Sequence, residues 1–513
     1  MERFNAATWL VDRNIDEGRG GNVAVECGDR TLTYADLVDE VHAAAHGLRG
    51  LGVRPEERVV LVLNDDVPFL ATFLAALHIG AVPVPVSTML TGKELGVIVD
   101  DARARVVYLS EPYAPLLPAI ADGAPDLEVA VVDGEAPDGG GVATRRLDEV
   151  AADRSESNPT RTVEDSPAFW LYTSGTTGLP KGAMHRHIDL RVTADTYAAA
   201  VLHTGPDDRF FSVAKLFFAY GLGNSLTFPL AVGATTILSP ERPTPPGVAD
   251  ICARHRPTLF FAAPGFYAGL LDAHVAADTL ASVRLAVSAG EALPADLHRR
   301  FTTHFGVPLL DGIGTTEALH IFCSNRLGAE RPGTSGTAVD GYELKLVGDD
   351  GVEIAAPDTP GALYVKGESV ATGYWCRTAT SRQVFAGDWM RTGDTYTRSA
   401  DGYYTCLGRS NDMIKPGGIW VSPAEVEAVL VEHSDVLEAA VVGARNDDGL
   451  EEPVAFVVAR SGAVIDAAAI DAHCRERMAA FKRPRRVIVV DALPRTATGK
   501  IQRFALRDRL SAI

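Results

Sequence analysis

Short apolar runs alternate with stretches of helical periodicity from residue 23 to residue 288. RVVLVLN (58–64) and ARVVYLS (104–110) have the composition of buried strands, whereas residues 35–52 and 246–255 repeat apolar side chains with the period of a helix. This alternation predicts parallel sheet with helices on both faces. From about residue 335 the texture changes to short strands separated by Gly/Asp turns, which predicts an antiparallel, β-rich module.

The segment after Arg409 repeats the alternation on a smaller scale. Strand-like AAVVGA, EEPVAFVVA and RRVIVVD surround the helical run DAAAIDAHCRERMA. About a hundred residues suffice for a small domain. We therefore expect two domains, residues 1–410 and residues 411–513.

One long apolar run, VPFLATFLAALHIGAVPVPV at 67–86, has two interpretations. A membrane span is the first. Pro83 and Pro85 would break such a helix, and His78 and Gly80 interrupt it. A buried helix followed by a buried strand is the interpretation we favour, so no membrane partner is expected.

Composition narrows the classes of partner. The 513 residues are 46% hydrophobic and 22% charged, which is typical of a globular protein. The net charge of −19 argues against nucleic acid as a general partner. Six cysteines lie scattered without metal-ligand spacing, and the first twenty residues carry charges throughout, so we expect no signal peptide and a reduced, cytoplasmic protein.

The stretch YTSGTTGLPKG at 172–182 is the strongest functional signal. Its glycines let backbone N–H groups approach an anion, its hydroxyls add donors, and Lys181 adds a mobile positive charge. Pro180 stands where a Walker P-loop requires glycine, so this is a different polyphosphate motif. A flexible polar loop is the alternative for this stretch taken alone.

Two motifs could complete a nucleotide site. In DGIGTTE (311–317), Asp311 offers an acceptor for an exocyclic amine and Glu317 is an oxygen ligand suited to Mg²⁺. In RTGD (391–394), Asp394 could accept hydrogen bonds from ribose hydroxyls, and Arg409 could bind the ribose or a phosphate. A helix cap and an ordinary turn, respectively, are the alternatives.

Two weaker motifs accompany them. SAGE (288–291) follows a strand, and PRTATGKIQR (494–503) surrounds Lys500 with small residues, as a mobile catalytic lysine requires. A frayed surface turn is the alternative for the second.

In this order and spacing, the five motifs resemble those of the adenylate-forming superfamily of acyl-CoA synthetases, adenylation domains and luciferases. The resemblance runs from LTYADL (32–37) to Lys500. It implies an α/β fold with a large N-terminal domain of two helix-flanked sheets plus a β module, and a small α+β C-terminal lid domain. It also implies ATP, Mg²⁺ and coenzyme A as reactants or cofactors, with Lys500, Glu317, Thr173 and Lys181 as catalytic residues and Glu317 as the metal ligand.

The same resemblance implies an ATP/AMP site and a lid. The nucleotide residues are Thr173, Ser174, Gly175, Thr176, Thr177, Lys181, Gly290, Glu291, Ala292, Asp311, Gly312, Ile313, Gly314, Thr316, Asp394, Arg409, Lys415 and Lys500. Ile313 replaces the aromatic residue that relatives often stack on adenine. Gly417 and Gly418 would shape the CoA channel, and Asn411 stands at the hinge position, where Asp or Lys is usual.

Within the superfamily, AKLFFAYGLGNS (214–225) and GIGTTEALHIF (312–322) look most like benzoate-CoA ligases. That resemblance implies a substrate pocket formed by Lys215, Phe218, Ala219, Tyr220, Gly314, His320 and Ile321. Phe218 departs from the His common there in other acyl-CoA synthetases. No acidic residue lies between Phe210 and Pro240 to pair with an α-ammonium group, and an apolar pocket suits a small aromatic acid.

The sequence thus predicts an AMP-forming ligase that converts benzoate or a substituted benzoate to its CoA thioester. Two alternatives stay open at this point: a stand-alone adenylating enzyme that loads a carrier-protein thiol, and an inactive ligand-binding relative. The oligomeric state, with a homodimer as one option, and the role of Lys215 are also open.

Overall fold

The structure is a computed structural model that describes residues 3–135, 137, 139, 141–174, 180–410, 412–414, 416, 421–445, 451–495 and 501–511. Several predicted site residues lie outside the described residues: Gly175, Thr176, Thr177, Asn411, Lys415, Gly417, Gly418 and Lys500.

The first sheet has nine strands, with parallel pairing at its centre and antiparallel pairing at both edges. Alternate side chains of its strands enter different cores: Phe210 and Phe261 on one face, Phe211 and Phe260 on the other. This is the two-residue period of a strand buried on both faces. In spatial order the strands are Thr337–Ala338, Ile321–Ser324, Leu309–Gly314, Leu285–Ser288, Leu259–Ala262, Arg209–Ser212, Thr235–Leu238, Val23–Cys27 and Arg30–Thr33.

The second sheet has five strands, all parallel. Val59 and Leu61 face one core while Val60 and Val62 face another. In spatial order the strands are Val82–Pro85, Arg58–Val62, Val106–Ser110, Val129–Asp133 and Ala143–Arg146. The sequence pattern did not reveal that Val23–Cys27 leaves this neighbourhood and pairs with Thr235–Leu238 in the first sheet.

Helices cover the sheets of the large domain, and several begin at side chains that cap them. Thr33 and Thr91 each form a capping box, with Asp36 and Glu94 respectively. The α-helices are Ala6–Leu10, Asp12–Asp16, Tyr34–Gly50, Val67–His78, Gly92–Ala102, Leu117–Gly123, Leu147–Val150, His187–Thr193, Ala219–Leu222, Phe228–Val232, Pro245–His255, Pro264–Asp272, Ala295–Phe305 and Thr378–Val384; 3₁₀ turns span Glu111–Leu116, Ala277–Leu280 and Thr316–Ala318, and π-helical turns span Ala194–Ala199 and Gly223–Thr227.

The apolar run at 67–86 is a buried helix, Val67–His78, followed by the buried strand Val82–Pro85, as expected. Gly80, with φ of 74°, reverses the chain between them. Within the described ranges, every helix is too short or too polar to cross a membrane.

A two-stranded antiparallel hairpin, Pro167–Ser174 and Pro180–Arg186, forms a sheet of its own. It is called the phosphate hairpin below. The β module follows as an antiparallel sheet, which confirms the change of texture predicted near residue 335. Its strands are Tyr342–Val347, Gly361–Gly367, Phe385–Ala386, Trp389–Arg398 and Tyr404–Arg409.

The C-terminal segment forms a sheet with its own cores. Val441 and Val457 pack with Leu430 and Ile470 on one face, and Phe456 packs on the other. The strands are Val436–Arg445, Glu451–Ala459 and Arg486–Val489, and the helices are Pro423–Val431, Ala467–Arg477 and Arg503–Ser511.

Candidate active site

The phosphate hairpin brings two predicted catalytic residues opposite each other. Thr173 pairs with Lys181 across the hairpin, and Ser174 pairs with Pro180. Residues 175–179, which connect the two strands, lie outside the described residues. The hairpin therefore holds a hydroxyl and an ammonium group at the base of the glycine-rich connection.

Lys181 and Glu317 meet around Tyr374, a residue that the sequence analysis did not single out. Lys181 Nζ lies 4.6 Å from the centroid of the Tyr374 ring, a cation–π distance. The Tyr374 hydroxyl donates to Glu317 Oε1 at 2.6 Å. Burial, followed by the Glu317 charge, raises the pKa of Tyr374, so the phenol stays a donor. Tyr374 thus connects two residues that are 136 positions apart in the sequence.

Backbone contacts fix this arrangement. Trp375 N donates to Gly182 O at 2.9 Å, and Ala371 N donates to Glu317 O at 2.7 Å, so residues 371–375 lie between the hairpin and the Glu317 turn. His185 Nε2 adds a bond to Thr316 O at 2.9 Å. Residues outside the motifs therefore donate hydrogen bonds to three main-chain carbonyls near the candidate charged groups, those of Gly182, Thr316 and Glu317.

Asp101 anchors the outer side of the hairpin. The Tyr172 hydroxyl donates to Asp101 Oδ2 at 2.7 Å, and Arg377 Nη2 donates to Oδ1 at 2.5 Å. The Trp375 indole donates to the Asp101 carbonyl at 2.9 Å. Because Tyr172 directly precedes Thr173, this carboxylate fixes the strand that leads into the glycine-rich connection.

The DGIGTTE motif closes a buried strand. Asp311 is 5% exposed, and its Oδ1 has no hydrogen-bond partner among the described residues. Burial raises the pKa of its carboxyl well above the usual range. An orphaned buried oxygen costs free energy unless a ligand satisfies it, which agrees with the predicted contact to an exocyclic amine.

The glycines of this motif and of SAGE permit close approach. A Cβ on Gly314 would lie 2.4 Å from His320 O, and one on Gly312 would lie 2.8 Å from Ile321 Cγ2. Gly290, by contrast, has φ of 97° and open space beside it, so a ligand could approach its backbone. Ile313 is half-buried in the same strand end. Ala292 follows Gly290 on the loop after Leu285–Ser288.

Thr316 and Glu317 lie in a 3₁₀ turn that Thr315 caps by accepting from Ala318 N at 3.1 Å. One turn can therefore be capped by Thr315 and still present Glu317 to a ligand, so the two interpretations of this motif are compatible. Glu317 is half-buried, and its Oε1 accepts from the Tyr374 hydroxyl.

Asp394 and Arg409 are paired residues of two adjacent strands. Arg409 Nε lies 3.0 Å from Asp394 Oδ1. Asp394, with a further contribution from Glu317, raises the pKa of Arg409 above its usual value. The two predicted ribose ligands are thus side by side, in electrostatic reach of Glu317.

Leu319, with φ of 68°, turns the chain sharply between Glu317 and His320. Positive φ at a leucine costs of order 1–3 kcal/mol and persists only where surrounding structure enforces it. The turn sends His320 into the protein, where it is 3% exposed. The candidate metal ligand and the candidate pocket histidine therefore occupy opposite sides of one turn.

His320 lies among aromatic rings. Its ring centroid is 4.5 Å from that of Phe228, 5.2 Å from that of Tyr197 and 5.5 Å from that of Tyr220. Nε2 donates to Asn224 Oδ1 at 3.2 Å. Burial lowers the pKa of His320 to about 3, so it is neutral at physiological pH.

Three other predicted pocket residues, Phe218, Ala219 and Tyr220, shortly precede Asn224, and Ile321 directly follows His320. The Tyr220 hydroxyl donates to Val287 O at 2.9 Å, which fixes its ring. Phe218 packs edge-on against Phe217 with centroids 4.4 Å apart. Ala219 and Ile321 are buried, at 9% and 1% exposure. These side chains, together with Gly314 and His320, carry no charge, and their role as a pocket for the acid stays a prediction.

Lys215 has its own partners. Its Nζ donates to Ser239 O at 2.6 Å and to Glu241 O at 2.7 Å, and lies 3.9 Å from Asp65 Oδ2. Asp65 Oδ1 in turn accepts from Leu216 N at 3.1 Å. These contacts give Lys215 an anchoring role, and its predicted contact with substrate or a CoA phosphate stays a prediction.

Glu317 is the residue that would hold Mg²⁺. The described residues contain no cluster of three or more His, Cys, Asp or Glu side chains that could enclose a metal. Mg²⁺ commonly binds through one or two carboxylates plus substrate phosphates and water. A single partly exposed carboxylate beside the phosphate hairpin fits that mode of binding.

Known proteins match this chain over nearly its whole length. The sequence profile of AMP-binding enzymes matches residues 12–375, and the profile of their C-terminal domain matches residues 425–500. A benzoate–CoA ligase of Thauera aromatica is 44% identical over 512 residues, covering 99% of this chain and 96% of the relative. A 4-hydroxybenzoate–CoA/benzoate–CoA ligase of Rhodopseudomonas palustris is 44% identical over 515 residues, covering 99% and 94%.

A solved structure extends the agreement to the whole fold. The anthranilate CoA ligase AuaEII in complex with anthranoyl-AMP matches with a TM-score of 0.94 at 40% identity, covering 99% of this chain and 98% of that chain. The predicted fold class, with a large N-terminal and a small C-terminal domain, is confirmed. The chain belongs to the AMP-binding family of adenylate-forming enzymes.

Proposed function

We propose that this enzyme activates benzoate or a substituted benzoate with ATP and transfers the acyl group to coenzyme A, giving an aryl-CoA thioester, AMP and pyrophosphate. The observation that carries the proposal is the turn at Leu319. It separates Glu317, beside Lys181 and Tyr374, from His320, among uncharged rings. An aromatic acid whose ring lay among the uncharged side chains around His320 would place its carboxylate next to the side chains that we propose bind phosphate.

In the first half-reaction the acid's carboxylate oxygen attacks the α-phosphorus of ATP, and pyrophosphate leaves. Positioning and charge neutralisation dominate such a step. Thr173 and Lys181 would bind the phosphates with the other residues of 172–182, and Lys500 would stabilise charge on the bridging oxygens. Mg²⁺, bound at Glu317, would supply further neutralisation.

The remaining nucleotide contacts would orient AMP. Asp311 would accept from the adenine amine, while Gly290, Glu291, Ala292, Gly312, Ile313, Gly314 and Thr316 would border the ring. Asp394 and Arg409 would hold the ribose. These roles rest on the resemblance and on the geometry described above.

The acid pocket favours a neutral ring. His320 is uncharged, Tyr220 donates to Val287 O, and the Asp65 carboxylate faces Lys215 and Leu216. Asp311 also lies within electrostatic reach of Tyr220, but burial raises the pKa of its carboxyl well above the usual range, so these described residues offer an α-ammonium group a poor counter-ion. This supports an aromatic acid over an amino acid.

In the second half-reaction the CoA thiol attacks the acyl carbonyl, and AMP departs. We place the domain boundary at 410/411, directly after the last strand of the β module, with Asn411 as hinge. Gly417 and Gly418 would shape the CoA channel, with Lys415 near the adenylate. We assign the enzyme to the cytoplasm, because its six cysteines are free thiols and four of them are buried. A homodimer stays a prediction.

The experiment is a mass-resolved product assay with ATP, Mg²⁺, CoA and a panel of benzoates, cinnamates and short fatty acids. Benzoyl-type CoA with stoichiometric AMP is expected. Acyl-adenylate without thioester would replace the proposal with carrier-protein loading, and absence of AMP with every acid would replace it with ligand binding alone. Omission of Mg²⁺ tests the metal in the same assay.

A further inference from the structure

An arginine in the last motif joins the two domains. Arg495 Nη1 donates to Glu291 Oε1 of the large domain at 3.3 Å, and Nη2 donates to Glu438 Oε1 of the small domain at 2.7 Å. The three side chains are 28–31% exposed, so solvent screens them only in part. The guanidinium fork is suited to bridging two carboxylates at once.

Arg495 directly precedes residues 496–500, which lie outside the described residues and include Lys500. Arg495 and Ile501 form an antiparallel bridge, and Gln502 N donates to Pro494 O at 2.8 Å. Leu493, 5% exposed, belongs to a core of the small domain, and Ile501 packs against that core. The two ends of the connection that contains Lys500 are therefore fixed to the small domain and, through Arg495, to Glu291.

We propose that Arg495 is a positioning residue for adenylation: by bridging Glu438 and Glu291, it docks the chain segment that carries Lys500 onto the large domain. The inference rests on the proposed function, in which Lys500 acts on ATP. In that proposal, Lys500 takes no part in the attack of CoA on a preformed acyl-adenylate. Loss of the bridge should therefore slow one half-reaction and spare the other.

A second interdomain pair provides a matched control. Arg460 Nη1 lies 3.5 Å from Asp272 Oδ1, and these residues also belong to the small and large domains. Arg460 follows the strand Glu451–Ala459, far in sequence from Lys500. If general docking were all that mattered, the two arginines would be equivalent.

The experiment compares wild type, Arg495→Gln, Arg495→Lys and Arg460→Gln in two assays. Benzoate-dependent ATP–pyrophosphate exchange reports adenylation, and CoA thioester formation from synthetic benzoyl-adenylate reports the second step. Arg495→Gln should lower exchange by about 3- to 30-fold, the range of typical coupling energies. The second step should stay within about twofold of wild type, as should both steps in Arg460→Gln.

Arg495→Lys should give an intermediate loss of exchange, because an ammonium keeps the charge without the fork. It also carries the test if thermal unfolding shows that Arg495→Gln does not fold. In a double-mutant cycle with Glu291→Gln, the double variant should exchange no more slowly than the slower single variant.

Three results would overturn the inference: equal loss in both half-reactions, an equal effect of Arg460→Gln, or unchanged exchange in the Arg495 variants. Absence of exchange in wild type with every aromatic acid would instead contradict the proposed function itself. The two failures are therefore distinguishable.

Discussion

On the two sides of the Leu319 turn, the candidate residues are held by different kinds of interaction. On the phosphate side, hydroxyls and charges converge: Tyr374 joins Lys181 to Glu317, and Asp101 anchors Tyr172. On the side proposed to bind the acid, neutral rings pack together, and hydrogen bonds to Val287 O and Asn224 Oδ1 hold the rings of Tyr220 and His320.

This difference teaches how one short turn can serve two ligands of opposite character. Charged ligands need preorganised donors and cations, whose interactions are strong where water is excluded. A benzoate ring needs shape and the absence of an unpaired charge. Electrostatic changes should therefore affect the first region through rate, and changes of volume should affect the second through acid recognition.

The largest expected effect is on the phosphate side. Lys500→Ala removes the cation that we propose acts on ATP and should lower benzoate-dependent pyrophosphate exchange by about 100- to 1000-fold. Lys93→Ala, at an exposed lysine of the helix Gly92–Ala102, is the control and should exchange at the wild-type rate. Normal exchange by Lys500→Ala would contradict the proposed role of charge on the phosphate side.

The next effect tests Asp65, a buried carboxylate beside the segment 214–225. Burial raises the pKa of Asp65 to about 6, although Lys215 and Leu216 N oppose the shift. The folded state therefore binds this proton more tightly than the unfolded state, and the stabilisation present at pH 4 is lost as pH rises through 6. Relative to Asp65→Asn, wild type should lose about 2–3 kcal/mol of unfolding free energy between pH 4 and 7.

Urea unfolding of both proteins across that pH range measures this difference. Asp208→Asn is the control of opposite sign. Burial raises the pKa of Asp208, but hydrogen bonds from Arg284, Thr258 and Gly205 N outweigh it and hold the pKa below its usual value. The difference between wild type and Asp208→Asn should therefore stay nearly constant from pH 4 to 7 and shrink as pH falls below about 4. A pH-independent difference for Asp65→Asn would contradict the assignment.

A change of volume tests the packing of the acid side. A Cβ on Gly223 would lie 2.4 Å from His320 Cδ2 and 2.8 Å from Nε2. Overpacking of this kind costs about 1–3 kcal/mol, so Gly223→Ala should lower kcat/KM for benzoate by about 10- to 100-fold. The KM for ATP should change little. Gly205→Ala, where a Cβ meets nothing within 4 Å, is the matched control.

An equal rise of both KM values in Gly223→Ala would show that the two sides are not separable. Steady-state kinetics with benzoate and ATP varied in turn distinguishes these outcomes.

The smallest effect concerns the connection between Lys181 and Glu317. Tyr374→Phe removes a hydrogen bond to a charged group, which is worth about 1.5 kcal/mol or more, so kcat/KM for ATP should fall about tenfold. Tyr403→Phe, which removes a hydroxyl bonded to Ala329 O, should be neutral. A tenfold fall in kcat/KM for benzoate with no change in kcat/KM for ATP would contradict this prediction, because it would place Tyr374 on the acid side.

Much of the fold was predictable, because apolar periodicity reflects burial on one or both faces of an element. The helix and strand within 67–86 and the β module after residue 335 follow from it. The partition of strands between the two sheets did not, since Val23–Cys27 pairs with Thr235–Leu238 across more than 200 residues.

The candidate site shows the same division. Short motifs mark Lys181, Glu317, Asp394 and Arg409, because glycines and charged side chains are concentrated around them. Tyr374 and Asp101 carry no such signal, and Asn224 lies within the motif at 214–225 without having been assigned a role. Each is an ordinary polar residue until the fold places it beside a motif. Arg495 lay within a recognised motif, but its partner Glu291 is 204 residues away.

By itself, the sequence determined the family, the order of the two domains and the chemical types available to bind phosphate and a neutral ring. These are encoded locally, by backbone-permissive glycines, hydroxyls, charges and apolar periods. Only the tertiary structure decided which side chains hold them. In the folded chain Lys215 donates to the carbonyls of Ser239 and Glu241, and Arg495 donates to Glu291. Such long-range contacts depend on sheet order and domain packing, which no local pattern specifies.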